Sequence, residues 1–197
     1  MRNETEAQGP GAARIAPLSP PYDESTGALL ESMMPAGVPP IALFRTFARN
    51  PAMATAMHGW GSYELSKKLS VDMRTREIVI DRVCARCGCE YEWGVHVAFF
   101  AERVGLTDEQ VRSLTHGDAS DACWDVRRDA LVIQLVDSVH DTATVDDALW
   151  KELSEELSEQ QLLDLLMMAG WYHAISFTAR ASGVPLEPGA PRFADYR

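Results

Sequence analysis

Three side chains able to move protons or attack electrophiles, Cys89, Glu92 and His96, follow one another at i, i+3 and i+7. At about 100° per residue this spacing places a thiol, a carboxylate and an imidazole along one stripe of a helix. The stretch 74–106 around them adds Glu77, Cys84, Cys87, Glu90 and Trp93, so three of the four cysteines fall within six positions. Cys89 follows Gly88, where a helix should begin, and a thiol at a helix N-terminus is activated by the dipole. The competing reading is a small buried hydrophobe. Glu92 and His96 form an i, i+4 pair, an arrangement common on helix surfaces. Tyr91, Trp93 and Phe99 nevertheless imply burial of this helix, which perturbs the proton affinity of both groups. His173, between Tyr172 and Ala174 in an apolar helix, reads first as a core histidine, within reach of the same pocket.

Other chemistries have weaker support. Cys84-Ala-Arg-Cys87 has redox spacing but falls late in a helix, where the dipole does not activate its first thiol. Glu77, Cys89, Glu92 and His96 have metal-ligand side chains, but structural zinc sites usually show two paired-ligand motifs and only one such cluster is present. The expectation is therefore no metal and no cofactor. Dinucleotide, phosphate-loop and serine-hydrolase signatures are absent.

The elements that must position these groups are all helical. Pro20-Pro21 open a helix over 22–34, ended by Pro35-Ala-Gly37, and a short one follows at 41–47, stopped before Pro51. Pro51 opens a helix through 68 with Met53, Met57, Trp60 and Leu65 inward. Gly59 and Gly61 weaken its middle by about 1 kcal/mol each, which implies close packing there. Ser70 caps a helix to residue 86, and Gly88 breaks it from the helix that carries the motif. Gly105 suits a left-handed cap. Thr107 to Gln110 and Ser158 to Gln161 have capping-box spacing, the second opening a long helix to 182. Between them, helical periods run over 124–140 and, capped by Thr144, over 145–157. No period-two alternation occurs, so the fold class is all-α, with eight or nine helices. Residues 162–168 are apolar nearly all round, which marks the last helix as central or as an interface. A large exposed apolar patch is rare on monomers, and a homo-oligomer is expected.

A length of 197 residues suits one domain with an irregular N-terminal arm over 1–20 and a tail over 188–197. The net charge of −11 argues against nucleic acid and anionic membrane surfaces as partners. No secretory run and no membrane span is visible, and clustered cysteines do not resemble a disulfide framework, so a cytoplasmic location is expected.

Glu77, then Cys89-x-x-Glu92-x-x-x-His96, resembles the carboxymuconolactone decarboxylase/alkyl hydroperoxidase D-like superfamily. The stretches FRTFARNP (44–51), RTREIVIDRV (74–83), CEYEWGVH (89–96) and GWYHAISFTARASGVPLE (170–187) look like one subgroup of it, over roughly 14–187. The resemblance implies an all-α fold over 21–187, assembled as a dimer, trimer or hexamer, with a small-molecule substrate. In the hydroperoxidase branch the motif is Cys-x-x-Cys-x-x-x-His, with two thiols that cycle through a disulfide. Here Glu92 stands where the peroxide-attacking thiol would be, which favours acid–base chemistry. The implied enzyme is a decarboxylase- or isomerase-like lyase acting on a small conjugated carboxylic acid, lactone or enol. His96 is its acid/base, Glu92 the partner or proton donor and Glu77 the orienter. Cys89 lines the pocket beside Trp93, with Tyr172 and His173 contacting substrate. The alternatives are a thiol peroxidase or disulfide reductase using Cys89, and a ligand-binding protein without catalysis.

Overall fold

The computed structural model describes residues 13–197. Among them are nine α-helices and no strand. They are α1 (Glu24–Ser32), α2 (Ala42–Phe47), α3 (Pro51–Glu64), α4 (Met73–Arg86), α5 (Glu90–Phe100), α6 (Asp108–His116), α7 (Arg127–Thr142), α8 (Asp147–Glu156) and α9 (Glu159–Ser182). Among the described residues no helix is long and apolar enough to cross a membrane.

Helix α4 is the axis of the molecule and packs against α5, α6, α7 and α9. Its sequence explains why. Ile78, Val79, Ile80 and Val83 are fully buried, each side chain contributing about 1.5–3 kcal/mol on leaving water. Arg76, Glu77, Asp81 and Arg82 are buried as well, and two arginines of this helix reach out to partner helices and loops. Arg82 forks onto Asp137 of α7 at 2.7 Å through both Nε and Nη2, while its Nη1 donates to the carbonyls of Leu114 and Gly117. Arg74 joins Asp129 to the carbonyls of Val104 and Gly105. Bidentate guanidinium–carboxylate pairing carries geometric as well as energetic weight, so the Arg82 fork, with the single Arg74–Asp129 bond beside it, fixes how α6 and α7 sit on α4.

The α4–α5 connection is a Schellman turn. Gly88 adopts φ +64°, the Cys89 amide donates to the Cys84 carbonyl at 2.7 Å and the Gly88 amide to that of Ala85. The turn folds α5 back along α4, which brings Glu77 level with His96 one helix away.

Several boundaries differ from the sequence expectation. Asp72, not Ser70, caps α4 through the Thr75 amide, and Asp146, not Thr144, caps α8 through that of Leu149. Ser70 and its amide are instead engaged by Asp164. Nothing packs against Gly59 or Gly61. Helix α3 buries Ala54 and Glu64, leaving Met53 and Leu65 exposed, because it roofs a cavity instead of lying on the core. Phe99, expected inside, is exposed. Of the expected arm, residues 1–12 lie outside the described part. From Arg14 onward the segment is tied down: Arg14 and Ile15 amides donate to the Ser182 carbonyl and Leu18 to that of Arg45. The tail is docked too. Phe193 and Tyr196 stack edge-on against Trp93, and the Phe193 amide donates to Glu90 at 2.8 Å.

Candidate active site

Four polar side chains meet between α4, α5 and α9. His96 Nδ1 lies 2.8 Å from Glu77 Oε2, and since a carboxylate only accepts, this nitrogen carries a hydrogen and donates. The other ring nitrogen, Nε2, lies 3.5 Å from Glu92 Oε1 and 3.5 Å from the Tyr172 hydroxyl. Both distances are long, so Nε2 remains available to a third party. On the far side of Glu77, Arg76 Nε donates to Oε1 at 2.7 Å, while its Nη2 sits 2.6 Å from the same oxygen without a hydrogen-bonding angle. The Arg76 guanidinium also stacks on Phe100, 5.1 Å from the ring centre. The result is a buried row of cation, carboxylate, imidazole and carboxylate.

Electrostatics follow from this order. Burial on its own lowers the proton affinity of His96, but the carboxylates of Glu77 and Glu92 outweigh it and raise its pKa to about 10. At neutral pH the ring is an imidazolium. Burial pushes the Tyr172 hydroxyl well above the usual phenol range, with Glu92, Glu64 and Glu77 adding to the effect, so it is a neutral donor.

Glu92, His96 and Tyr172 form part of the wall of a cavity of about 460 Å³ under α3. The remaining wall is mostly apolar, including Leu43, Phe44, Phe47, Met57, Trp171 and Ile175, with His58 and Ser62 at α3. A volume of this size and a few convergent polar groups suit a small ligand. Glu92 Oε2 is buried and has no hydrogen-bond partner.

Three side chains that the sequence placed at the pocket, Trp93, His173 and Cys89, are elsewhere. Trp93 is 0% exposed and turned to the opposite side of α5, under the C-terminal tail. Successive helical residues diverge by about 100°, so neighbouring Glu92 cannot share its direction. His173 points to α7, its Nε2 2.8 Å from His140 Nδ1, for the same reason beside Tyr172. Cys89 is the N-cap of α5 rather than part of its first turn. It is fully buried and is not on the cavity wall. Burial raises its pKa, with Glu92 adding to the rise, against the opposing pull of the Glu92 amide. The dipole advantage read from the sequence is outweighed by desolvation.

Sequence reasoning missed Glu64 and His58. Glu64 is buried, accepts from the Trp60 indole at 2.8 Å and is raised by burial to about 8, with the charges of His96 and Arg76 pulling it back. The i, i+4 pair of Trp60 and Glu64 was the available signal, hidden because the helix was assigned an apolar inner face. Asp81, one turn after Glu77, is fully buried with neither oxygen partnered, and burial followed by the Glu77 charge raises it well above the usual carboxylate range.

Residues 51–133 match the carboxymuconolactone decarboxylase family model. No curated protein matched the chain. Among solved structures, the apo debrominase Bmp8 superposes with a TM-score of 0.72 at 14% identity, covering 88% of this chain and 92% of that one. An alkylhydroperoxidase AhpD core protein from Ralstonia eutropha JMP134, described as peroxidase-related, gives 0.74 at 16%, covering 90% and 95%. A peroxidase-related protein from Silicibacter sp. TM1040 gives 0.72 at 16%, covering 98% and 100%. Identities this low speak for the fold alone. The family match spans residues 51–133, from α3 into α7, and the solved structures share the all-helical fold of this chain.

Proposed function

We propose that the protein is a cofactor-independent decarboxylase- or isomerase-like enzyme that moves a proton at carbon in a small conjugated carboxylic acid, lactone or enol. The observation that carries this is the placement of His96, held by Glu77 at 2.8 Å, beside Glu92, whose Oε2 is unpartnered, both residues lining an apolar cavity. When the substrate loses CO₂, the bond to the carboxyl carbon breaks and its electron pair passes into an enolate. The His96 imidazolium stabilises that oxygen through Nε2–H, and the Tyr172 hydroxyl is a second donor. Glu92 then delivers a proton to carbon, drawing on His96, which recovers one from water. In an isomerisation, Glu92 removes the proton from one carbon and returns it to another, and nothing else is consumed. Glu77, braced by Arg76, keeps the ring oriented.

A thiol-dependent reaction at Cys89 is the second reading. It draws on the debrominase neighbour, of which a cysteine-to-alanine variant was solved with 2,3,4-tribromopyrrole, at 13% identity and a TM-score of 0.71 over 88% of this chain. The buried, proton-retaining state of Cys89 is what weighs against it. A homo-oligomer belongs to the same proposal. Leu163, Met167 and Phe177 are exposed along α9, and sedimentation of a monomer at micromolar concentration would remove it.

Incubation with enolisable conjugated acids in heavy water tests the chemistry. Nuclear magnetic resonance should show deuterium entering a carbon position with the wild type and not with Glu92→Gln. Absence of exchange with every such acid, together with peroxide turnover that depends on Cys89, would replace the first reading by the second.

A further inference from the structure

We propose that Cys87, His140 and His173 form a binding site for a divalent transition ion of the zinc class, separate from the cavity that holds His96. The three residues come from the three central helices: Cys87 caps the C-terminus of α4, His140 lies in the last turn of α7, and His173 is mid-way along α9. One ligand atom from each lies within 4.8 Å of the other two. A thiol and two imidazoles are the mixed sulfur–nitrogen set that zinc accepts, with a fourth position left to solvent or another ligand.

The hydrogen bonding of His173 points the same way. Its Nδ1 is 2.7 Å from the Ala169 carbonyl, which only accepts, so the hydrogen is on Nδ1 and Nε2 presents a lone pair. Metal-ligating histidines are commonly oriented through a bond of this kind from the other ring nitrogen to a backbone carbonyl. That Nε2 accepts from His140 Nδ1 at 2.8 Å, with the Cys87 sulfur alongside, so on metal binding the hydrogen of His140 moves through solvent to its own Nε2 and leaves a lone pair on Nδ1. Zinc bonds of about 2.0–2.1 Å to nitrogen would separate two ligand nitrogens by roughly 3.4 Å in a tetrahedron, so small ring movements suffice.

The surroundings are compatible with a cation that arrives as a thiolate forms. The nearby cations are already engaged: Arg86 by Asp137 and Asp141, and Arg180 by the Cys87 carbonyl at 2.7 Å. On binding, the Cys87 S–H bond breaks, the proton leaves to solvent and the sulfur lone pair bonds the ion. One negative charge then offsets part of the ion's two. Cys87 is buried and the histidines half-buried, so the ion would be screened from bulk water on one side only.

The test uses the full-length protein after treatment with a chelator. Titration with Co(II) should saturate at one ion per chain, with a thiolate-to-cobalt charge-transfer band, and Zn(II) should displace it. Cys87→Ser should abolish the band, while His140→Ala and His173→Ala weaken binding by at least about tenfold. Circular dichroism of each variant checks folding. X-ray absorption of the zinc-loaded wild type, which needs no variant, should show one sulfur and two imidazoles. No saturable uptake at millimolar metal would overturn the proposal, as would a band that survives Cys87→Ser or disappears with Cys123→Ser.

Discussion

His96 and the His140–His173 pair are the same side chain in opposite company. His96 sits between two carboxylates, and its proton affinity rises to about 10 although burial opposes it. His140 faces another imidazole, with Arg86 close by; burial, then Arg86 and His173, lower its pKa. His96 holds a proton through neutral pH and His140 sheds it. Burial is common to both and cannot be what separates them. The sign of the neighbouring charge does that, and it decides whether an imidazole serves as an acid or presents lone pairs. In sequence the neighbours are far apart, because Glu77 is 19 positions from His96 and His140 is 33 from His173.

The strongest way to break this contrast is to empty the proton-holding side. His96→Ala should lower turnover by about 10²–10⁴-fold, the usual worth of a positioned acid or base. Glu77→Gln should reduce activity less, through misorientation of the ring, but should cost about 3–5 kcal/mol of stability because Arg76 loses its buried partner. Denaturant unfolding separates the two effects. Equal losses of activity with no loss of stability in Glu77→Gln would mean that Glu77 acts on substrate and not on His96.

A smaller effect is expected on the tail side of α5, away from the pocket. A Cβ on Gly94 would lie 2.7 Å from the Pro191 carbonyl oxygen, a backbone atom that cannot simply rotate away. Gly94→Ala should cost about 1–3 kcal/mol, as overpacking does, and lift the tail from Trp93. A red shift in tryptophan emission would report that, with the Glu92–His96 face and turnover largely retained.

Much of the architecture was legible because it is local. Both capping boxes, the left-handed Gly105 and the switch at Gly88 follow from short-range backbone chemistry. The stripe of Glu92 and His96 follows from helical period alone. What periodicity could not supply was which way α5 turns relative to its neighbours. Trp93 was read with Glu92 because it is adjacent, yet adjacency along a helix places side chains on different faces, and the aromatic tail residues Phe193 and Tyr196 claim that face. Cys89 was read by its place at a helix start, while its thiol is governed by burial, a tertiary property. Glu64 lies outside the apolar inner face that the sequence gives to α3; the Trp60 indole and the roof position of the helix bury it.

Solution pH sharpens the comparison more gently. Glu64 has a folded pKa of about 8 against an ordinary 4.5, and His96 about 10 against 6.5. In both cases the folded state binds more protons than the unfolded chain. Stability from His96 is therefore complete below about 6.5 and lost as pH rises through 10, and that from Glu64 declines between 4.5 and 8. The melting temperature should fall progressively from mildly acid to alkaline buffer. Glu64→Gln should flatten the lower part of that fall and leave the upper part to His96. A melting temperature that rises from pH 7 to pH 9 would contradict the assignment of an imidazolium at the site.

The smallest expected effect is the most decisive. If protons are what the site moves, Cys89→Ser should keep most of the activity, since the thiol is off the cavity wall and a hydroxyl fills nearly the same space beneath α5. If sulfur is the nucleophile, the same change should abolish turnover, because a serine hydroxyl at its ordinary pKa does not replace a thiolate. The substitution adds a buried hydroxyl that needs a partner, so its melting temperature must be measured with its rate. The Glu92 amide and the Ser176 hydroxyl, which both act on the Cys89 thiol, are the partners open to that new oxygen. Glu92→Cys then tests the converse, since it rebuilds the Cys-x-x-Cys spacing at the start of α5. Under the proton-transfer reading this variant loses the native reaction and gains nothing. Peroxide turnover in Glu92→Cys, combined with a folded but inactive Cys89→Ser, would show that His96 serves a thiol and that the carboxylates around it tune sulfur rather than carbon.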